Sequence, residues 1–224
     1  MDTISARVEE LSTRIFMRRV TAASEREQVF RLRHACYLEE GAIDPLPGGM
    51  LCDQFDQAGS SEIIGLYESG ELIGSIRLQV LSREHPGSPS ALAFPEVIAP
   101  LLAAGKRLLD PTRFVIATEA SRRFPGLAYF ALRLPFMAAA YHGVDIALAA
   151  VRSEHMPFYR RTLRYRQVSA PRDYLLLNKP LGLMLADYRQ ERQLVLDRFP
   201  CFFADAAEAE SLFGTERVDA AGAG

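Results

Sequence analysis

Two β-forming segments joined by a tight turn constrain this chain more than any other feature. EIIGLYE (62–68) and LIGSIRLQV (72–80) are rich in isoleucine and leucine, and Ser69 and Gly70 lie between them. Two short runs of this composition around a Ser-Gly pair predict a β-hairpin. The chain is therefore expected to contain a sheet in which at least two strands are antiparallel.

The remaining segments predict that helices cover this sheet. Ser24 and Glu27 have the S-x-x-E spacing of a capping box, which predicts a helix start, and Pro135 predicts a kink in a later helix. Residues 41–60 are rich in Pro and Gly and are expected to form a long loop. The other predicted strands are 14–20, 107–118, 144–151 and 172–178, and the predicted helices are 25–39, 94–104, 125–141, 155–164 and 184–199. This order favours the α+β class, with a mixed sheet and helices on both faces.

Composition indicates one globular domain and disfavours several classes of function. The chain has 224 residues, of which 49% are hydrophobic and 24% charged, and a net charge of -2. We expect one domain over residues 1–214 and a flexible tail at 215–224. The small net charge disfavours a nucleic-acid partner. The widely spaced cysteines, the lack of a secretory signal and the lack of an apolar run of roughly 20 residues favour a cytoplasmic protein with no membrane span.

Two arginines lie inside segments that otherwise favour burial. Arg77 lies in LIGSIRLQV and Arg113 in LLDPTRFVI. A buried guanidinium requires a partner, because removing water from an unpaired charge costs several kcal/mol. Asp53, Asp56 and Asp110 are the available partners. The resulting ion pairs either shape one end of the sheet or contact a substrate, and the two roles are compatible.

Other polar patterns are less specific. The D-x-x-D spacing of Asp53 and Asp56 also occurs in metal sites, but no histidine is near, so no metal is expected. Tyr159 begins a helix after a buried strand, where it either packs in the core or acts as a general acid. The chain contains no G-x-S-x-G, P-loop or G-x-G-x-x-G motif, which disfavours hydrolase, kinase and dinucleotide-binding functions.

Five short motifs resemble, in the same order, those of a known family. They are LRHACY (32–37), CDQFD (52–56), GSIRL (74–78), FPEV (94–97) and DPTRFVI (110–116). The combination resembles the LuxI-type autoinducer synthases, and FeeM-type N-acyl amino acid synthases are similar in layout. Both belong to the GNAT superfamily, so the resemblance implies a GNAT-like αβα sandwich with a mixed, mostly antiparallel sheet.

The resemblance implies a direct acyl transfer from a thioester to an amine. Asp110 would orient the amine or deprotonate it through water, and Tyr159 would protonate the leaving thiolate. The backbone amides of Val115, Ile116 and Ala117 would bind the thioester oxygen. The substrate-binding residues that the resemblance implies are Arg33, Tyr37, Asp53, Asp56, Arg77, Thr112 and Arg113.

Several positions depart from the family pattern. Asp110 stands where the family usually has Glu, and Thr112 replaces Ser but keeps the hydroxyl. The chain has no tryptophan, whereas autoinducer synthases keep one near their S-adenosylmethionine site. This difference favours an amino acid or another small amine as acceptor. Arg164 stands where GNAT enzymes often have Gly, which predicts a different local turn.

The resemblance also implies a donor and a protein partner. Acyl carrier protein or coenzyme A would carry the acyl group, with no further cofactor. A long acyl chain would lie against residues 126–141 and 144–151, unless these form plain core packing. A carrier protein would meet a basic surface, which is otherwise a solvated helix face. The residues of this surface are Arg160, Arg161, Arg164 and Arg166.

We therefore expect an N-acyltransferase that moves an acyl group, preferably a long one, to the amine of an amino acid or related small molecule. One alternative is an acyl-homoserine-lactone synthase that uses S-adenosylmethionine in quorum sensing. A second alternative is a non-catalytic module that senses acyl thioesters. The sequence does not predict an oligomeric state.

Overall fold

The computed structural model describes residues 3–214, so the proposed tail at 215–224 lies outside the described residues, and the single domain over 1–214 stays a prediction. The strands are β1 (Ile15–Arg19), β2 (Ser61–Glu68), β3 (Glu71–Leu81), β4 (Leu108–Ile116), β5 (Ile146–Val151), β6 (Arg166–Gln167), β7 (Arg172–Tyr174) and β8 (Leu177–Asp187). The helices are α1 (Thr3–Ser12), α2 (Ala23–Glu39), α3 (Pro89–Ala93), α4 (Pro95–Ala103), α5 (Thr118–Arg123), α6 (Leu127–Tyr141), α7 (Met156–Leu163), α8 (Tyr188–Arg198) and α9 (Ala206–Phe213).

The strands form one mixed sheet. Their order is β1-β2-β3-β4-β5-β8-β6, and β7 pairs with β8 outside this order. All neighbours are antiparallel except β4 and β5, which are parallel. The hairpin predicted from the sequence is β2–β3, with its turn at Ser69 and Gly70. The mixed, mostly antiparallel sheet confirms the predicted α+β class.

Helices cover both faces of the sheet, because successive strand residues pack on opposite sides. Leu108 of β4 lies in a core cluster with Ile98 of α4. The next residue, Leu109, lies in a different cluster with Leu134 of α6. The two clusters identify a three-layer sandwich in which α4 and α6 lie on opposite faces.

The parallel strands β4 and β5 separate soon after they begin. Their pairing is limited to Leu108 with Ile146 and Leu109 with Ala147. Beyond these pairs, β4 stays paired with β3 and β5 stays paired with β8. The carboxyl-terminal halves of β4 and β5 therefore diverge and leave a wedge-shaped opening in the sheet, which we call the β4–β5 gap.

Three local predictions are wrong. The single strand predicted over 172–178 is instead β7 and the start of β8, because the chain turns at Leu175, which has φ 46°, and β7 then pairs with β8. The helix α2 begins at Ala23 with Ala22 as its N-cap, so Ser24 lies inside the helix and does not cap it. The helix predicted over 184–199 begins only at Tyr188, because residues up to Asp187 pair with β5 in the sheet. The buried run that ends β8 contains apolar residues at every position, and such a run does not distinguish strand from helix.

Several elements were not predicted. They are the helices α1, α3, α5 and α9 and the two-residue strand β6. Apart from α1, these elements span eight residues or fewer, so they show too few helical turns or strand repeats for a periodic pattern to emerge. Among residues 3–214, no helix combines the length and the apolar character that a membrane-spanning segment requires.

Candidate active site

A buried cluster of ion pairs forms beneath α2, on the sheet face that carries α4. Its members, which we call the charged cluster, are Arg33, Asp53, Asp56, Arg77 and Arg113. Arg77 contacts both carboxylates, with 2.5 Å from Nη1 to Asp53 Oδ1 and 3.1 Å to Asp56 Oδ1. Arg33 lies 2.7 Å from Asp56, and Arg113 lies 2.8 Å from Asp53. The structure thus brings together five residues from four segments that are distant in the sequence.

The D-x-x-D spacing serves to cap a short helical turn. Residues Gln54–Gln57 form a 3₁₀ turn, and the Asp53 carboxylate accepts a hydrogen bond from the N–H of Phe55 at 2.9 Å. In return, the Asp56 carboxylate accepts from the N–H of Asp53 at 2.9 Å. This reciprocal capping fixes both carboxylates and points their remaining oxygens at the arginines. Within residues 3–214, no group of three or more potential metal-ligating side chains occurs.

Electrostatics keep Asp53 ionised at neutral pH. Burial alone would raise its pKa, but the hydrogen bonds and charges of Arg77 and Arg113 outweigh burial and lower the pKa to about 2. For Arg33, burial is the largest effect and lowers its pKa, although Asp56 opposes the shift. Asp53 is therefore a strong hydrogen-bond acceptor but a weak base.

The charged cluster carries a surplus of positive charge. It contains three guanidinium groups and two carboxylates. Arg33 is fully buried, and its Nε and Nη2 find no hydrogen-bond acceptor in the part of the chain that the structure describes. Buried donors without acceptors are costly, and they indicate that the cluster favours an additional negative group or water.

Asp110 lies next to the charged cluster but does not pair with its arginines, contrary to the prediction. The strand register places Thr112, rather than Asp110, opposite Arg77, and Thr112 Oγ1 accepts from Arg77 Nε at 2.9 Å. Asp110 is fully buried and accepts instead from Ser90, at 2.7 Å from Oγ and 3.2 Å from the backbone N–H. Burial raises the pKa of Asp110, although hydrogen bonds from Ser88 and Ser90 oppose the rise.

The hydroxyl group of Tyr174 extends this arrangement. The phenol oxygen of Tyr174 lies 3.2 Å from Ser90 Oγ. Because Ser90 donates its single hydroxyl proton to Asp110, Tyr174 must be the donor in this contact. The three side chains form a directed chain, Tyr174 to Ser90 to Asp110, which sequence analysis missed because Ser90 and Tyr174 belong to segments without a motif.

Of the three backbone amides expected to bind the thioester oxygen, one faces the β4–β5 gap. Ala117 donates its N–H to the carbonyl of Ile73 at 2.9 Å, so it is already used. Hydrogen-bonded pairs alternate along an antiparallel ladder, so Val115, opposite Ser75, is also bonded to β3. Ile116 lies between them and therefore directs its N–H and carbonyl away from β3. Its carbonyl accepts from Cys36 Sγ at 3.7 Å, which agrees with this orientation.

Tyr37 and Tyr159 lie at the edge of this region. The Tyr37 ring is 5.7 Å from the Arg113 guanidinium, close enough for a cation–π contact. Tyr159 is partly buried in α7 and packs edge-on against Tyr165, with ring centroids 5.7 Å apart. Burial, followed by the nearby charge of Tyr37, raises the pKa of Tyr159 to about 12. Tyr159 is thus a weaker acid than an ordinary phenol.

The basic residues around α7 differ in their surroundings. Arg160, Arg161 and Arg166 are exposed, whereas the guanidinium of Arg164 pairs with Glu191. Arg164 ends α7 in the left-handed conformation, with φ 59°. This is the conformation that glycine adopts at a helix end, so the expected difference in the local turn does not occur.

The segments expected to hold an acyl chain form mostly packed core. Ten residues of α6 and the first four of β5 are buried. A cavity of about 440 Å³ touches only the second half of α6, from Phe136 to Tyr141, and its other walls come from the region between Tyr188 and Glu210. No member of the charged cluster lines this cavity, and it is therefore separate from the candidate active site.

The fold and the site together define a class of protein. A mixed sheet whose central parallel strands diverge, with an inward backbone amide at the gap and a polar cluster beside it, is the arrangement of a GNAT-like fold. A family model described as N-acyl amino acid synthase FeeM matches residues 28–187. The match covers more than half of the chain, and the protein belongs to this acyltransferase family.

Solved structures support the same fold. FeeM, an N-acyl amino acid synthase from uncultured soil microbes, has a TM-score of 0.69 at 22% identity over 86% of this chain and 99% of its own. BjaI, a CoA-dependent acyl-homoserine lactone synthase, has a TM-score of 0.57 at 17% identity over 83% and 90%. An acyl-CoA N-acyltransferase from Pseudomonas aeruginosa has a TM-score of 0.52 at 15% identity over 76% and 97%. No curated protein sequence matches the chain.

Proposed function

We propose that the protein transfers an acyl group from a carrier-bound thioester to the amine of an amino acid or a closely related carboxylate. The observation that carries this proposal is the position of the β4–β5 gap. The free amide of Ile116 lies at the gap, and Arg113, three residues earlier in the same strand, belongs to the charged cluster. One strand therefore connects a place for the donor with a place for the acceptor.

The donor occupies the β4–β5 gap in this proposal. The pantetheine arm enters between the diverging strands, and the N–H of Ile116 binds the thioester oxygen. Because the strand fixes this N–H group before the reaction, the N–H stabilises the oxyanion without reorganisation. Acyl carrier protein and coenzyme A both present such an arm. The exposed Arg160, Arg161 and Arg166 favour the acidic carrier protein.

The acceptor lies at the outer edge of the charged cluster. Asp53 and Arg113 are the members with some exposure, at 11% and 3% of their side chains, and Tyr37 is partly exposed beside them. The surplus guanidinium charge attracts the acceptor carboxylate, and Asp53, which is ionised at neutral pH, accepts a hydrogen bond from the amine. A carboxylate-bearing amine satisfies both requirements, whereas a simple alkylamine satisfies only one.

The chain from Tyr174 to Asp110 provides a route for the amine proton. Burial and the charge of Asp110 raise the pKa of Tyr174, while the charges of Arg113 and Arg77 oppose the rise. The phenol of Tyr174 therefore lies within the electrostatic field of the charged cluster. As the amine attacks the thioester carbon, its proton passes to the Tyr174 oxygen, the phenol proton to Ser90, and the Ser90 proton to Asp110. The raised pKa of Asp110 makes it a better final acceptor than Asp53.

The carbon–sulfur bond breaks as the carbon–nitrogen bond is completed, and a thiolate leaves. A thiol has a pKa near 8.5, whereas the pKa of Tyr159 is about 12, so proton transfer from Tyr159 to the thiolate is unfavourable. In this proposal Tyr159 donates a hydrogen bond to the thiolate, which takes its proton from solvent. Asp110 then returns the amine proton to solvent through Ser90 and Tyr174, so that the relay is restored and no net proton is gained or lost. The sum of the steps is amine plus thioester to amide plus thiol.

The test is an incubation of the protein with acyl carrier protein or coenzyme A loaded with chains of different length. Each donor is combined with the twenty amino acids, simple alkylamines and S-adenosylmethionine, and products are identified by mass spectrometry. We expect N-acyl amino acids and little acylation of alkylamines. Acyl-homoserine lactone from S-adenosylmethionine as the main product would favour the autoinducer alternative. Thioester binding without any product would favour the sensing module.

A further inference from the structure

Adjacent residues of β4 reach the same side of the sheet. Thr112 accepts a hydrogen bond from Arg77, and Arg113 forms two hydrogen bonds with Asp53, at 2.8 Å from Nη2 and 3.2 Å from Nε. Successive residues of a regular strand point to opposite faces. The charged cluster therefore depends on an irregularity between these two positions.

The irregularity is a β-bulge at Arg113. Thr112 pairs with Arg77 and Val115 pairs with Ser75, so two residues of β4 face the single residue Ile76. Arg113 has φ 54°, in the left-handed region that is unfavourable for residues with a Cβ atom. Glycine is the usual residue at such a position in a bulge, so something other than intrinsic preference must hold Arg113 there.

The extra residue also decides which amide faces the β4–β5 gap. In an unbulged ladder continued from the Thr112–Arg77 pair, Ile116 would lie opposite Ile73 and its N–H would bond to β3. With the bulge, Ala117 takes that place and donates to Ile73 at 2.9 Å. The side chain of Ile116 accordingly packs with the core of the α6 face.

We propose that Asp53 is a positioning residue for the acyl donor, because its ion pair holds Arg113 in the left-handed conformation and thereby directs the Ile116 amide to the thioester oxygen. Asp53 is itself held in place by several contacts. Asp53 accepts from the N–H of Phe55 and pairs with Arg77, and the Tyr37 ring flanks the Arg113 guanidinium. This inference rests on the proposed function and links the acceptor side of the site to the donor side.

The test measures binding of two donor analogues that cannot transfer an acyl group. One is an S-(2-oxoalkyl) derivative of the carrier, which keeps a carbonyl, and the other is the S-alkyl thioether, which has none. Calorimetry compares the wild-type protein with Arg113→Ala and Arg113→Gly. Asp53 keeps Arg77 as a partner in both variants, so neither leaves a buried carboxylate unpaired.

Arg113→Ala should weaken binding of the carbonyl analogue about tenfold, the size of one lost hydrogen bond, and leave thioether binding within about twofold. Arg113→Gly should keep both affinities within about twofold, because glycine adopts the left-handed conformation without an anchor. Arg113→Asn should fall between them, because Asn tolerates this conformation better than Ala. The expected order of affinity for the carbonyl analogue, Gly above Asn above Ala, follows the preference of each residue for the left-handed conformation. It does not follow charge, because all three variants lack the guanidinium.

Equal losses in the Ala and Gly variants would overturn the inference, as would equal losses for the carbonyl and thioether analogues. If the Ala variant does not fold, the Gly and Asn variants decide: carbonyl-analogue binding that is no tighter in Gly than in Asn contradicts the inference. A wild-type protein that binds neither analogue would refute the proposed function itself and this inference with it. The two failures are therefore distinguishable.

Discussion

Arg77 and Asp53 form a bidentate ion pair, with Nη1 2.5 Å from Oδ1 and Nη2 3.2 Å from Oδ2. Arg77 is fully buried in the middle of the sheet, and its Nε donates to Thr112 as well. One side chain thus ties β3 both to β4 and to the turn that carries the two aspartates. Arginine is suited to this position because its donors form a flat, rigid fork.

Arg77→Lys should destabilise the protein strongly although it keeps the charge. Lysine cannot form the paired bond with Asp53 and also donate to Thr112, so at least one hydrogen bond to a buried charged group is lost. We expect a loss of about 2–4 kcal/mol in the free energy of unfolding, measured by urea titration. Arg31→Lys, at the exposed pair with Glu27, is the matched control and should cost less than about 0.5 kcal/mol. Similar losses in the two variants would contradict the structural role of Arg77.

Asp53 should make stability depend on pH below about pH 4. Its pKa is lowered from 3.8 to about 2 in the folded protein, so its ionised form stabilises the fold above the unfolded-state pKa, and this contribution is lost as the pH falls towards 2. The contribution is about 2 kcal/mol. Urea titrations between pH 2 and pH 5 should show this decline in the wild type and a shallower one in Asp53→Asn. Parallel curves for the two proteins would show that Asp53 does not carry the effect.

Breaking the hydroxyl chain should slow the reaction and change its pH dependence. We expect Asp110→Asn and Tyr174→Phe each to lower kcat by tenfold or more at neutral pH, because the amine proton loses its route. The deficit should shrink as the pH rises, because hydroxide can then remove the proton of the attacking amine that the broken chain no longer removes. A purely structural role would give a deficit that is independent of pH.

Tyr188→Phe is the control for the hydroxyl chain. Tyr188 is also a buried tyrosine, and its hydroxyl donates to the carbonyl of Phe136 at 3.0 Å, away from the charged cluster. Its kcat should stay within about twofold of the wild type. Unchanged turnover in Asp110→Asn would remove Asp110 from the mechanism.

Arg164→Gly should stabilise the protein. Arg164 ends α7 at φ 59°, and a residue with a Cβ atom pays about 1–2 kcal/mol for this conformation, whereas glycine does not. The exposed pair with Glu191 offsets only a small part of this difference. We expect a gain of about 0.5–1 kcal/mol by thermal unfolding, and no gain for Arg164→Ala, which keeps the Cβ atom. A loss in the glycine variant would mean that the ion pair with Glu191 outweighs the backbone preference.

Much of the candidate site was predictable because burial of charge imposes pairing. Arg77 and Arg113 lie in apolar strands, and the sequence offered three aspartates as partners. The structure uses Asp53 and Asp56 and leaves Asp110 to Ser90. The choice among the three depends on strand register, which places Thr112 opposite Arg77, and register is not encoded in local composition.

The capping box was predicted from its sequence spacing, but at the wrong pair of residues. A capping box was expected at Ser24 and Glu27, but the reciprocal capping occurs at Asp53 and Asp56, whose spacing also resembles a metal motif. Both pairs satisfy the same spacing rule. The difference is that Asp53 and Asp56 are also held by buried guanidinium groups, which are contributed by distant segments.

The sequence by itself determined the antiparallel hairpin, most of the longer helices and the requirement that the strand arginines find partners, because these follow from local propensity and from the cost of burying charge. Only the tertiary structure decided that β4 and β5 diverge, that Arg113 takes a left-handed bulge, and that Ile116 alone of the three expected amides turns towards the gap. These features depend on how strands far apart in the chain align with one another. A shift of one residue in that alignment exchanges the side chains and amides that face each side of the sheet, and nothing in a local stretch of sequence fixes it.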